Sequence, residues 1–175
     1  MQTIGQTGAG PRAADIEGWL DELGLAPVER ADREGVSSWD LELDGLRRFD
    51  IGVTLIFDPG LALIAWVHFA PPLNDSFRKS YRKLLHWNDE YPFAKFALAA
   101  DERLMLTSEL PVALLDRDEL GFTIARLLTM CDGLLEESAG WLWIGGRIPD
   151  PGDRVSRQVG LFARYADRLA DLRPS

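Results

Sequence analysis

The feature that most constrains the fold is a pair of apolar runs joined by a tight turn. Residues 49–57 and 61–69 are rich in β-branched and aromatic side chains, and Asp58-Pro59-Gly60 lies between them. Adjacent Pro and Gly between two such runs predict a short β-hairpin loop. The sequence therefore predicts an antiparallel hairpin in which Phe57 faces Leu61 and the ring of Trp66 lies over Gly52.

Flanking segments extend this hairpin into an α+β domain. Apolar residues at 39, 41 and 43 alternate with acidic ones and predict a preceding strand with one face exposed to solvent. Helical spacing predicts one helix near Asp15 and another capped by Asn74 or Asp75, while residues 26–37 are typical of a loop. Two short strands near 94–99 and 103–107 and a long helix from Asp116 follow. The predicted order α-β-β-β-α-β-β-α gives a mainly antiparallel five-stranded sheet with helices packed on one side.

The chain divides into three parts. Residues 1–11 are rich in Gly and predict a flexible N-terminus. Residues 12–139 form the predicted α+β domain. Residues 140–175 are a C-terminal helical extension, with an aromatic strip that begins at Trp141 and a last helix over 153–171.

Composition excludes several partners and locations. The net charge is −9, which repels phosphate backbones and anionic lipid, so we expect no direct nucleic-acid binding and no membrane partner. The one cysteine allows no internal disulfide, and no secretory leader or long apolar span is present, so we expect a cytoplasmic protein. Residues 147–175 carry six Arg against four Asp, which is typical of a solvated helix face.

No pattern of catalytic residues is found. The two histidines lack partners at metal-ligand spacing, and no nucleotide-binding or hydrolase motif occurs. Cys131 falls in the apolar stripe of the long helix, where burial predicts an unreactive thiol. The sequence therefore predicts no enzyme, no cofactor and no metal site.

One run of residues resembles a known family. The residues are Tyr81-x-x-Leu84-Leu85-x-x-Asn88, Ala97-Leu98, Leu104-x-Leu106, Ser108-Glu109-Leu110-Pro111 and the long helix after Asp116. With the strands before them they resemble the YbjN-like family of bacterial proteins, whose fold is similar to class I type III secretion chaperones. The resemblance implies an acidic homodimer that holds a protein client, with links to stress response and regulation and no catalytic residue. The segment 108–111 is interpreted as a strand-to-helix connection.

Two functions therefore remain open. The first is a chaperone-like or adaptor protein for a client, and the alternative is a small-molecule sensing domain with a pocket between sheet and helices. Strand alternation predicts an apolar patch on the sheet face away from the helices. Its residues are Thr54, Ile56, Ile64, Trp66, His68 and Met105. A second subunit, a client, or the chain's own 141–143 strip and last helix could cover this patch.

Overall fold

The structure is a computed structural model that describes residues 10–72, 80–170 and 172. Most of the predicted flexible N-terminus, and the predicted helix caps Asn74 and Asp75, lie outside the described residues. The strands are β1 (Glu29–Arg33), β2 (Val36–Leu43), β3 (Ile51–Asp58), β4 (Ala62–Ala70), β5 (Lys95–Leu98) and β6 (Leu104–Pro111). The helices are α1 (Ala13–Glu22), α2 (Tyr81–Glu90), α3 (Arg117–Gly133), α4 (Leu135–Leu142), α5 (Val159–Arg164) and α6 (Ala166–Ala170). No helix in the described part of the chain has the length and apolarity needed to cross a membrane.

The α+β class and the antiparallel sheet are confirmed, but the predicted count of five strands is wrong. The described sheet has six strands in the order β1-β2-β3-β4-β6-β5, and every neighbouring pair is antiparallel. The additional strand is β1, which lies within the segment predicted to be a loop. Its residues are mostly charged and exposed. Charged side chains suit an edge strand because they discourage pairing with another chain.

The central hairpin forms as predicted, but its register differs by two residues. Phe57 faces Leu63 and Thr54 faces Trp66, so the loop comprises residues 59–61. Asp58 stabilises this loop, since its carboxylate accepts a hydrogen bond from the Gly60 N–H at 2.8 Å and its carbonyl accepts one from the Leu61 N–H. The ring next to Gly52 is consequently that of His68 and not that of Trp66.

The core lies between the sheet and the helices. Alternate residues of the central strands are buried there, including Leu55, Phe57, Leu63 and Val67, together with Ile16 and Leu20 of α1 and most of α3. Asp116 caps α3 as predicted, because its carboxylate accepts a hydrogen bond from the Glu119 N–H at 2.8 Å. Cys131 is fully buried in α3, and this burial raises the pKa of its thiol to about 11. Its low reactivity remains a prediction.

The chain after β5 departs from expectation in two places. Residues 108–111, predicted to be a connection, continue β6 and pair with β4. The single last helix predicted over 153–171 is instead two short helices, α5 and α6. Trp141 lies within α4, so the aromatic strip begins inside a helix.

The C-terminal extension packs on the helix side of the molecule. Trp141 contacts Trp87 of α2 with ring centroids 5.5 Å apart, and Tyr165 lies against Phe122 of α3 at 6.1 Å. Leu161, Phe162 and Leu169 are buried in the same core cluster. The described part of the extension therefore adds a layer over α3 and contributes to the core.

An ion-pair cluster fixes the start of this layer. The side chain of Asp44, just after β2, is fully buried and accepts hydrogen bonds from the guanidinium groups of Arg154 and Arg157 at 2.8–3.0 Å. The backbone N–H groups of Asp50 and Arg157 also donate to this carboxylate. Burial alone would raise the pKa of Asp44, but the hydrogen bonds from Arg157 and these N–H groups outweigh it and hold the pKa far below its ordinary value.

Candidate partner-binding surface

The sheet face away from the helices, here called the outer face, carries its side chains in successive cross-strand rows. The first row runs Glu29, Asp40, Thr54, Trp66, Thr107, Lys95. The second runs Ala31, Ser38, Ile56, Ile64, Glu109. In the third row Glu42 pairs with Gly52, which lies against His68, and His68 pairs with Met105. Side chains in one row are neighbours because directly opposite Cβ atoms are about 5 Å apart.

These rows bring together all six residues of the predicted patch. Trp66 is 39% exposed, while Thr54, Ile56, Ile64 and His68 are half-buried. Met105 is only 4% exposed and therefore offers little surface to a partner. The accessible apolar centre of the outer face is thus formed by Ile56, Ile64 and Trp66.

A chain of hydrogen bonds crosses the outer face beside Trp66. Arg103 contacts His68 Nδ1 at 3.2 Å, His68 Nε2 lies 3.0 Å from Thr54 Oγ1, and this hydroxyl donates to Asp40 at 2.5 Å. Arg103 also donates to Asp101 at 2.6 Å. Because a guanidinium can only donate, Nδ1 must accept and the ring proton must lie on Nε2, from which it is donated to Thr54. All donors and acceptors in the chain are then matched.

This arrangement requires a neutral imidazole. Burial lowers the pKa of His68, and the positive charge of Arg103 lowers it further, while the Asp40 and Asp101 carboxylates oppose the shift. Protonation of Nδ1 would place an N–H against the Arg103 guanidinium and break that hydrogen bond. His68 is therefore held as a neutral link between β3, β4 and the turn before β6.

A surface concavity of about 480 Å³ lies along this chain. Its walls include Asp40, Thr54, Trp66, His68 and Arg103. Three of these five residues belong to the patch predicted from the sequence, and Asp40 and Arg103 do not. Strand alternation places Asp40 on the outer face, whereas Arg103 precedes β6 and only the fold brings it over His68. In the described part of the chain, no group of three or more His, Cys, Asp or Glu residues could hold a metal ion.

The part of the chain that contains the sheet matches a protein-family model. A family model described as "Putative bacterial sensory transduction regulator", YbjN, matches residues 12–139. The chain belongs to the YbjN family. No curated protein sequence matches it.

The YbjN match covers the whole sheet and ends within α4, so all the outer-face residues lie inside the family domain. The extension that packs on α3 lies beyond the match. Helices α5 and α6 pack on the helix side, whereas Leu142 and Trp143 line a concavity together with His68 and Arg103 at one end of the YbjN outer face. The two helices that replace the predicted last helix therefore lie away from the patch, while the 141–143 strip reaches its His68 end.

Proposed function

We propose that this YbjN protein is a non-catalytic regulator that holds a protein client on the outer face of its sheet. The observation that carries the proposal is the apolar centre formed by Trp66, which is 39% exposed, and the half-buried Ile56 and Ile64. A sheet face that meets only water normally carries polar side chains on its central strands. Here the central strands β3 and β4 present two isoleucines and a tryptophan, and Trp is among the residues most enriched in protein interfaces.

The finer features of the proposal rest on the family. A sensory transduction regulator acts through other molecules, which agrees with an adaptor or chaperone-like role in stress response or regulation. The resemblance to type III secretion chaperones supports a homodimer in the cytoplasm. Light scattering tests the dimer: a mass near 19.6 kDa at all micromolar concentrations would contradict it.

A small-molecule sensor is the second candidate, favoured by the concavity beside His68. A pocket between sheet and helices, as predicted for a sensor, lies between α1 and strands β1 and β2, with a volume of about 550 Å³ and a lining that includes Glu17, Arg30 and Trp39. The concavity beside His68 lies on the outer face. Its polar groups already bind one another, since Arg103, His68, Thr54 and Asp40 form a continuous chain of hydrogen bonds. A ligand would have to compete with these bonds, so the surface suits a broad apolar contact better than a small polar ligand.

Site-specific photo-cross-linking tests the proposed function. A photoreactive amino acid at Ile64 should cross-link one protein in stoichiometric yield in the native cell, and Trp66→Glu should abolish that product. The same amino acid at Asp167, exposed on α6 on the opposite side, serves as the control position. Equal products from both positions, or a product at Ile64 that survives Trp66→Glu, would refute client binding at the outer face.

A further inference from the structure

The outer face has an acidic border on both sides of its apolar centre. Five carboxylates project from this face of the described strands: Glu29, Asp40, Glu42, Asp58 and Glu109. Glu29, Glu42 and Glu109 are exposed, and Glu42 is ion-paired with Arg157. They lie on β1, β2 and β6, which flank the central pair β3 and β4.

The cations of this face are fewer, and most already have partners. Lys95 donates to the Asn88 carbonyl at 2.7 Å and keeps its positive charge, whereas Arg103 is ion-paired with Asp101. Arg33, at the end of the edge strand β1, is a further cation of this face, and Arg157 of the extension contacts the Glu42 carboxylate at 3.5 Å. The border is therefore mainly negative, and opposite charge on a partner gives specificity and faster association.

The spacing of the border defines the shape of the partner. Neighbouring strands lie about 4.8 Å apart, so the three spacings from β2 to β6 separate the two acidic sides by about 14 Å. An α-helix with its side chains is about 10–12 Å in diameter. A helix lying along β3 and β4 therefore fits over Ile56, Ile64 and Trp66 with its flanks next to the carboxylates.

We propose that the client presents a cationic amphipathic helix, with an apolar stripe against Trp66 and Lys or Arg on both flanks. This proposal rests on the proposed function, since it names the chemistry of the client held at the same face. A second copy of this chain docking through its own outer face would bring like-charged borders together, so the charge disfavours that occupant. A client strand would add to a sheet edge, whereas Trp66 lies on a central strand.

Synthetic peptides test this inference with the full-length protein. The probe is an acetylated and amidated helix of about 15 residues, with Leu at i, i+3, i+4 and i+7 and Lys on both flanks. One control peptide replaces every Lys by Glu, and the other keeps the Leu and Lys residues but carries two central prolines that break the helix. Fluorescence anisotropy of labelled peptides should show binding of the Leu/Lys helix and at least about tenfold weaker binding of each control.

Matched variants locate the binding. Glu109→Lys reverses one border charge and should weaken the Leu/Lys helix about tenfold, because an attraction becomes a repulsion. Asp167→Lys changes the net charge equally on the far side and should alter affinity by less than about twofold. Trp66→Glu should weaken binding about thirty-fold or more, as expected for a central interface residue. Circular dichroism and a cooperative unfolding transition establish that each variant is folded.

The outcomes separate this inference from the proposed function. Equal weakening by Glu109→Lys and Asp167→Lys would show a general charge effect and overturn the inference. Tight, Trp66-dependent binding of the Glu peptide or the proline peptide would also overturn it, while client binding at the outer face would stand. If no peptide depends on Trp66 and Ile64 gives no cross-link, both proposals are wrong.

Discussion

At the scale of single residues, the connection between β2 and β3 is ordered by one carboxylate. Asp132 of α3 accepts hydrogen bonds from three successive backbone N–H groups, those of Leu46, Arg47 and Arg48, at 2.6–3.0 Å. The carboxylate approaches so closely that a Cβ on Gly45 would lie 2.3 Å from Asp132 Oδ1. Glycine is needed at position 45 because any side chain would displace this carboxylate.

Gly45→Ala should therefore destabilise the protein by about 2 kcal/mol or more, because the displaced carboxylate no longer binds the three backbone N–H groups, of which that of Arg48 is buried. Urea denaturation followed by circular dichroism measures the change. Gly18→Ala is the matched control, since Gly18 is exposed in α1 and an added Cβ meets nothing within 4 Å. That variant should be neutral or stabilising by up to about 1 kcal/mol, and an equal loss in both variants would contradict the role of Asp132.

His68 should give the protein a dependence on pH. Because burial and Arg103 lower its pKa, the native state binds the proton less readily than the unfolded chain. The stability that His68 contributes is fully present above the unfolded-state value of about 6.5 and is lost as the pH falls through the native-state pKa.

The free energy of unfolding, measured from pH 8 to pH 5, should therefore fall on the acid side more steeply in the wild type than in His68→Gln. His86→Gln, at the exposed histidine of α2, should retain the wild-type profile. Identical profiles for the wild type and His68→Gln would show that the imidazole is not held neutral by its neighbours.

At the scale of elements, local sequence patterns predicted the positions of most strands more accurately than they predicted the pairing register and the long-range contacts. The predicted hairpin register was wrong by two residues, yet the patch residues kept their face because side chains alternate with a period of two. Strand β1 was missed because an edge strand buries little and its charged sequence lacks apolar alternation. The Asp44 cluster was also missed, because Asp44 and Arg157 are distant in sequence and only the folded chain joins them. In the sequence, the only indication of this cluster was the excess of Arg over Asp after residue 146.

Asp44→Asn should release the chain between α4 and α5. Asparagine keeps the size of the side chain but removes the charge that pairs with Arg154 and Arg157, and loss of one partner from a buried ion pair costs about 3 kcal/mol or more. Limited proteolysis should then cut residues 147–158 faster than in the wild type. Asp153→Asn, an exposed position in the same segment, provides the control. Unchanged cleavage in Asp44→Asn would show that the ion pairs do not hold this segment.

At the scale of the whole molecule, the folded core includes residues that lie beyond the end of the family match. The YbjN match ends at residue 139, whereas Trp141, Leu161, Phe162, Tyr165 and Leu169 are buried in the same core as the sheet. The extension covers α3, and the outer face is the side on which we propose that a partner binds. Stability and partner binding should therefore depend on opposite sides of the protein.

Truncation after Ser138 tests this separation. The shortened chain loses the aromatic contacts to Trp87 and Phe122 and leaves the Asp44 carboxylate without its arginines, so it should unfold at lower urea, bind a hydrophobic dye and aggregate. Trp66→Glu in the full chain should do none of these, because Trp66 lies on the exposed outer face, and should lose only partner binding. A truncated protein that stays monodisperse with unchanged stability would show that the extension is dispensable to the core. A Trp66→Glu protein that aggregates would place Trp66 in the core and not at a binding surface.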